Sequence, residues 1–271
     1  MIEIKTLEKT PIQDIIDCLL VAFEGYFVQM PSDLHFWKNR LRNAGFTPEM
    51  SWGAFSNDQL VGFILNASGT QEGLLTVFNM GTGILQDFRG QKLVDRMYEF
   101  GLPALREKGI KRCSLEVITK NERAITVYQR IGFKISKMLK CYKGTISSTF
   151  PVVNLESDFD KADLQYFNHL YSWENNYQAV QRGQDDYVCY LVRSHTSMES
   201  IGHFVINPQS GYILQLEAYS GDWQSVFNGI SQVNTSIKIN NIPVTRTDLI
   251  NFLNRSNIEN HIDQFTMELG I

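Results

Sequence analysis

The sequence predicts an α+β protein in which a mixed, mostly antiparallel sheet is flanked by helices, with the second half of the chain a degenerate copy of the first. Three observations lead there. Over residues 1–146 apolar positions recur with period two or period 3.6, in the order strand, helix, helix, three strands, helix, strand, helix, strand. After a Ser/Thr- and Pro-containing stretch, TISSTFPVVNLES, a similar order returns, which divides the chain into residues 1–146 and 147–271. Charge divides at the same place: residues 1–146 carry 19 Lys+Arg and 15 Asp+Glu, the remainder 6 and 14, so +4 and −8 make up the net −4 of the 271 residues.

The first strand is IEIKTL, with alternating apolar and polar residues. Pro11 then opens a helix whose stripe is Ile12, Ile15, Ile16, Leu19, Leu20 and Phe23, and Ser32 is placed to cap a second helix through Phe36, Trp37 and Leu41. MSWGAF and LVGFILNAS flank the turn residues Ser56-Asn57-Asp58-Gln59 and read as a hairpin. LLTVFNMGTGIL extends the antiparallel sheet, and its Gly81 and Gly83 mark a bulge, a close approach of another backbone or ligand, or a loose strand end. Residues 86–90 break that strand. Leu93, Met97, Phe100, Ala104 and Leu105 form the stripe of the next helix, with Pro103 as a kink and Gly109 as its stop. CSLEVIT is a strand, Thr119-x-x-Glu122 fits a capping box, Ala124 to Ile131 repeats as a helix stopped by Gly132, and FKISKMLKCYKG is a final strand.

In the second half the pattern predicts a helix over residues 163–179. Strands DYVCYLVR, SIGHFVIN and GYILQLEAY follow, then helix WQSVFNGISQ, strand SIKIN, helix RTDLINFLNR and strand DQFTMEL.

Composition excludes several classes. No run approaches the ~18 apolar residues of a membrane span, and the N-terminal MIEIKTLEKT has no apolar signal core, so a cytoplasmic protein without membrane contact is expected. Cys18, Cys113, Cys141 and Cys189 are scattered without a C-x-x-C pair, and His35, His169, His195, His203 and His261 show no ligand spacing; buried thiols and no metal are expected. The acidic second half argues against nucleic acid as a partner, while the basic first half suits a small anionic ligand.

That ligand has an obvious place. In ILQDFRGQKLVDRMYEF a strand gives way to a helix, and the first N–H groups of a helix have no intrahelical partners and sit at the positive end of its dipole. Arg89, Gly90, Gln91 and Lys92 occupy that junction, with Gly83 and Leu85 before them and Leu93 and Val94 after. Taken alone, such a junction is as well read as a solvated turn. A second segment, LEVITKNERAITVYQRIGF, ends a strand in Leu-Glu-Val, starts a helix at Asn121, and sets Tyr128 on the face of Ala124 and Ile131 before Gly132-Phe133.

Together the two segments resemble the GNAT superfamily of acyl-CoA N-acyltransferases, over residues 1–146. That family has Arg/Gln-x-x-Gly-x-Gly/Ala for the coenzyme A diphosphate, followed by a strand and an Asn…Ala…Tyr…Gly-Phe helix. Arg89 matches, but Lys92 and Val94 stand where the family has Gly and Gly/Ala, and a side chain there crowds a backbone cradle while Lys92 can add a point charge. The resemblance implies an N-acetyltransferase with acetyl-CoA as cosubstrate and a small-molecule or peptide amine as acceptor, attacked directly and without a metal. Lys92, Val94 and the motif-free second half leave open a catalytically silent acyl-CoA-binding or protein-interaction module.

The resemblance also implies roles. Tyr128 protonates the departing thiolate, or is a core tyrosine on an apolar helix face. Glu116, twelve residues earlier, acts with it in deprotonating the amine, or is a salt-bridge partner. Asn121 caps its helix, bonds the coenzyme, or both, and backbone N–H groups between Asn79 and Thr82 polarise the thioester carbonyl. Phe23, Tyr26, Phe27, Met30, Phe36 and Trp37 line an apolar acceptor pocket or belong to the core. In the second half, AYSGDWQS stands where the diphosphate loop would be and carries Asp222 but no Lys or Arg, so that half is expected to bind no coenzyme A. It would instead pack on the first domain, cover the acceptor or mediate homodimerisation.

Overall fold

A computed structural model describes residues 1–146, 152–194 and 199–271; residues 147–151 of the proposed linker and His195 lie outside the described residues. The chain forms two compact units, one made of Met1–Ser136 with Thr266–Ile271, the other of Lys137–Phe265. The first thus takes up the last six residues of the chain.

In the first unit β1 (Ile2–Thr6) leads to α1 (Ile12–Ala22), which starts after Pro11 and buries Ile15, Ile16 and Leu19. α2 (Leu34–Ala44) is capped by Asp33 and not by the expected Ser32: the Asp33 carboxylate accepts from the His35 and Phe36 N–H groups at 3.0 and 3.1 Å. The acid lies one residue closer to the first turn and offers two oxygens to two orphan donors. β2 (Trp52–Ser56) and β3 (Gln59–Gln71) are joined through Asn57 and Asp58, both left-handed at φ 48° and 62°, which matches the twist of a tight hairpin. β4 (Leu74–Ile84) pairs antiparallel with β3, and the register slips so that Met80 is extra between Asn79 and Gly81. The expected bulge is therefore present.

α3 (Leu93–Glu107) runs through Pro103, and its Gly101 lets the Trp52 indole approach so closely that a Cβ there would lie 1.9 Å from a ring atom. β5 (Arg112–Ile118) pairs parallel with β4, and α4 (Glu122–Ile131) follows. Its cap is the Asn121 side chain, which accepts from the Ala124 N–H at 3.2 Å. The expected Thr119–Glu122 capping box is displaced because Asn121, not Thr119, directly precedes the first helical residue. Gly132 ends α4 at φ 114°. Sheet order in this unit is β1-β2-β3-β4-β5, then the end of β12 (Glu259–Gly270). The buried Arg112 clasps that end by donating to Glu72 at 2.8 Å and Glu268 at 3.3 Å.

The second unit begins within β6 (Lys134–Thr145). β7 (Asn154–Ser157) occupies part of the expected linker. The helix expected over residues 163–179 is broken into 3-10 turns at Tyr166–Leu170 and Trp173–Asn175 and a short α5 (Tyr177–Arg182). Polar side chains divert this backbone: Asn168 accepts from the Tyr177 N–H at 2.6 Å, and Asn176 from the Ala179 N–H at 2.8 Å. Then come β8 (Val188–Arg193), β9 (Ser200–Ile206), β10 (Tyr212–Ala218), α6 (Trp223–Val233), β11 (Ser236–Pro243) and α7 (Thr247–Arg255). Pairing is antiparallel along β7-β8-β9-β10, parallel between β10 and β11, and antiparallel from β11 to β6.

This is the succession of the first unit from β1 onward, with the segment of residues 158–187 in place of α1 and α2. The correspondence is close at the last helix. Asn121, Gly132 and Phe133 have counterparts 125 residues on in Arg246, Asn257 and Ile258, where Asn257 repeats the positive φ at 57° and Ile258 N–H bonds Leu253 C=O as Phe133 N–H bonds Tyr128 C=O.

Candidate active site

Residues 85–92 link β4 to α3. Leu85 anchors the loop by donating its N–H to Val61 C=O at 2.9 Å. Arg89 is a fastener: its guanidinium donates to Ile84 C=O and to Ala22 C=O, both at 3.0 Å. Gly90 takes φ 80° with open space where a Cβ would stand. Lys92 takes φ 53° and ψ 31°, so it adopts the left-handed backbone that glycine takes with least strain and keeps its side chain exposed. Gln91 is also exposed, whereas Leu93 is buried in the core and Val94 is half-buried. The first intrahelical bond runs from Arg96 N–H to Lys92 C=O, which leaves the N–H groups of Leu93, Val94 and Asp95 without carbonyl partners in the helix. Asp95, the one carboxylate of this turn, is neutralised by Arg130, whose Nε and Nη2 bond its two oxygens at 2.6 Å each; that contact, helped by Lys92, holds its carboxyl below the usual range. The junction therefore presents net positive potential to an anion.

Gly83 is explained by packing: a Cβ there would come within 2.6 Å of the Phe63 ring and 2.9 Å of Ala22. The parallel pairing of β4 with β5 extends from Thr76↔Arg112 to Asn79↔Leu115, and both strands continue beyond it. Glu116 is the first residue past that pairing and is half-buried.

At the same level Asn79 is buried and makes four contacts. Its Nδ2 donates to Thr82 Oγ1 at 2.8 Å and to Tyr98 Oη at 2.9 Å; its Oδ1 accepts from the Gly81 N–H at 3.0 Å and the Thr82 hydroxyl at 3.2 Å. Of the bulge N–H groups expected to face a thioester, Gly81's is thus spent internally. Tyr128 reaches this cluster from α4. Its ring meets Phe133 edge-on at 5.7 Å. Burial pushes the phenol up to about 12, against the opposing pull of the neighbouring Thr82 and Asn79 side chains. Asn121 caps α4 with its oxygen and offers its Nδ2 to Tyr26 Oη at 3.4 Å.

The aromatic segment between α1 and α2 divides. Trp37 is core, its Nε1 donating to Pro31 C=O at 2.7 Å, and Phe23 and Met30 pack on the same cluster. Phe27 and Phe36 are exposed, and Tyr26 meets Phe23 and Phe27 edge-on at 4.9 and 5.2 Å. The structure thus gathers Tyr128 and the Asn79–Thr82 stretch into one cluster and Asn121 with Tyr26 into another, with Arg89 used to hold the loop. Sequence reasoning missed the hydroxyls of Thr82, Tyr98 and Tyr26. A polar residue on an apolar strand or helix face, as Tyr98 is on α3, was the available signal.

The corresponding region of the second unit is built differently. Four residues, 219–222, replace the eight of 85–92, and the Asp222 carboxylate accepts from the Ser225 N–H at 3.1 Å, filling the start of α6 with its own negative charge. Parallel pairing of β10 with β11 is confined to Tyr212↔Lys238 and Ile213↔Ile239. Beyond it Tyr171 Oη lies 3.0 Å from Leu216 N and 2.9 Å from Leu216 O, and Asn175 Nδ2 donates to Leu214 C=O at 2.9 Å. The buried Arg246 donates to Glu217 at 2.8 Å. His203, wholly buried opposite Glu217, is pushed down to about 3 by burial and by Arg246.

Among the described residues no three His, Cys, Asp or Glu side chains converge as a metal site, no helix is long and apolar enough to cross a membrane, and all four cysteines are buried.

Comparison with known proteins matches residues 12–133 to the acetyltransferase (GNAT) family. The chain is 28% identical over 96 residues to N-alpha-acetyltransferase 30 of Schizosaccharomyces pombe, a match that covers 35% of this chain and 64% of that protein. The fold is similar over the whole chain to a tandem GNAT protein from the clavulanic acid biosynthesis pathway (TM-score 0.70, 11% identity, 98% of that chain). It is similar over 99% of the chain to a GCN5-related N-acetyltransferase from Sphaerobacter thermophilus (TM-score 0.69, 9% identity, 95% of that chain).

Proposed function

Because residues 12–133 belong to the GNAT acetyltransferase family, we propose that this chain moves an acetyl group from acetyl-CoA to a primary amine of a small molecule or peptide by direct attack. The observation that carries the reading is the buried Tyr128 phenol, beside Thr82 and Asn79 near the level where β4 and β5 cease to pair. The N–H groups of Leu93, Val94 and Asp95, with the exposed Lys92, would hold the diphosphate, and Gly90 leaves room for it. Arg89 would serve by fixing the loop.

An ammonium has no lone pair, so the acceptor must first lose a proton; Glu116 is the carboxylate on β5 assigned to take it, directly or through water. The free amine then attacks the thioester carbon, the carbon–sulfur bond breaks toward sulfur, and Tyr128 gives its proton to that sulfur. A phenol held up to about 12 stays protonated throughout the neutral and alkaline range, so the acid is always loaded. The likeness to an N-alpha-acetyltransferase supports a peptide α-amine as the acceptor. A thiol-release screen with acetyl-CoA against peptides, polyamines, amino acids and aminoglycosides tests the reading. Turnover with at least one amine, strongly reduced in Tyr128→Phe, is expected; no turnover on any of them, with no binding of acetyl-CoA, would leave a silent module.

A further inference from the structure

We infer that Arg130 is a positioning residue for the coenzyme: it acts through Asp95, turning that carboxylate toward α4 so that the diphosphate of acetyl-CoA meets open N–H groups at the start of α3. This deepens the coenzyme reading given above and rests on it. Asp95 is the third residue of α3, a place from which a carboxylate can reach back over the helix start and accept from its N–H groups. An acid doing so here would occupy donors that the diphosphate needs and would set a negative charge beside a dianion. Lys92, the residue before the helix, makes no side-chain cap, so it does not compete with Asp95 for that role.

Arg130 removes the conflict. It stands in the last turn of α4, and its Nε and Nη2 each donate to one Asp95 oxygen at 2.6 Å, a two-pronged pairing that fixes the plane of the carboxylate as well as balancing its charge. The approach of the two helices is set independently of the pair: three residues on from each partner, the buried Tyr98 and Phe133 rings meet edge-on at 5.4 Å. The guanidinium therefore reaches the acid without any rearrangement of α3 or α4. Asp95 is the less exposed partner, 16% against 46%, so its charge is the one that water screens poorly once the pair is broken. With Arg130 in place, the turn offers an anion the Leu93 and Val94 N–H groups, the helix dipole and the exposed Lys92 beside a neutralised acid. Without it, the same turn carries an uncompensated carboxylate that can bond those N–H groups itself.

The test is calorimetric titration of the full chain with acetyl-CoA. At low ionic strength Arg130→Gln should bind roughly tenfold more weakly, as expected for one uncompensated charge near the diphosphate. The deficit should shrink at high salt, where the Debye length falls to ~3 Å at ~1 M; a loss caused by misfolding would not. Arg130→Lys keeps the charge without the fork and should recover part of the affinity. In the Asp95→Asn background, Arg130→Gln should cost nothing further. In thiol release with the amine panel, Arg130→Gln should raise the KM for acetyl-CoA and leave kcat unchanged. The unfolding midpoint should move little, because pairs this exposed contribute little to folding; where it falls, Arg130→Lys carries the comparison. Unaltered affinity in Arg130→Gln overturns the inference, and so does a loss that persists in the Asp95→Asn background, the result for a guanidinium that bonds the phosphate itself. Either of those, with acetyl-CoA still bound by the unaltered chain, leaves the coenzyme reading standing. Absence of binding by the unaltered chain removes that reading, and Arg130 with it.

Discussion

The two units share a strand order and differ in what stands where their central parallel strands part. In the first, residues 85–92 keep the start of α3 open, and Asn79, Thr82 and Tyr98 form a hydrogen-bonded cluster beside the buried Tyr128 phenol. In the second, the corresponding linker has four residues, Asp222 fills the helix start, and Tyr171, Asn175 and the Arg246–Glu217 pair occupy the level beyond the paired residues. Where Asn121 presents a neutral amide, its counterpart Arg246 presents a charge neutralised inside the same unit. The lesson is that one topology has been used once with polar groups available for chemistry and once with those positions turned to internal support. A buried ion pair contributes little net stability compared with an apolar filling, but it is unforgiving once half of it is removed.

The largest expected effect separates the units by pH. Burial holds His203 at about 3 in the folded chain against about 6.5 when exposed. The unfolded chain therefore binds that proton first as pH falls, so the contribution is intact above about pH 6.5 and is lost progressively toward pH 3. The gap corresponds to roughly 5 kcal/mol. Hydrogen exchange between pH 7 and 4 should show strands β9 and β10 losing protection before β3 and β4; the reverse order would break the contrast. Next, Arg246→Ala strands Glu217 without its cation and should cost about 4 kcal/mol in denaturant unfolding while acetyl-CoA binding is retained. Loss of binding in that variant at temperatures where it remains folded would place the second unit in the site.

On the first unit, Tyr128→Phe should reduce kcat about 100-fold with little change in stability at neutral pH. The pH–rate profile of the unaltered protein should show no alkaline limb from this phenol below about pH 11, because only ionisation near 12 removes the acid. A limb near pH 9 would have to belong to another group, and its disappearance in Tyr128→Phe would contradict the environment described for the phenol. The smallest effects are at the caps. Asn121→Ala and Asp222→Ala should each cost about 1 kcal/mol, which the unfolding midpoint reads. Only the first should also alter acetyl-CoA affinity.

Much of the first unit was legible because its signals are local. Pro11, Asn57-Asp58, the 79–81 bulge and Gly132 each act within a few residues, and the Asn121 to Phe133 segment carries its cap, face and stop in one stretch. Lys92 looked like an obstacle in sequence, since the left-handed backbone it adopts leaves no trace in composition. The contacts that define the cluster were hidden by distance along the chain: Asn79 meets Tyr98 nineteen residues on, and Tyr26 meets Asn121 ninety-five residues on. In the second unit the apolar spacing over residues 163–179 pointed to a helix, and Asn168 and Asn176 outweighed it by bonding backbone N–H groups that a continuous helix would have used.

Calorimetric titration of the full chain with acetyl-CoA tests the central claim most directly. One molecule per chain is predicted, weakened by removal of the Lys92 charge and indifferent to Asp222→Asn. Two equivalents per chain, or none, would contradict the division of the molecule into one unit built for the coenzyme and one filled by its own side chains.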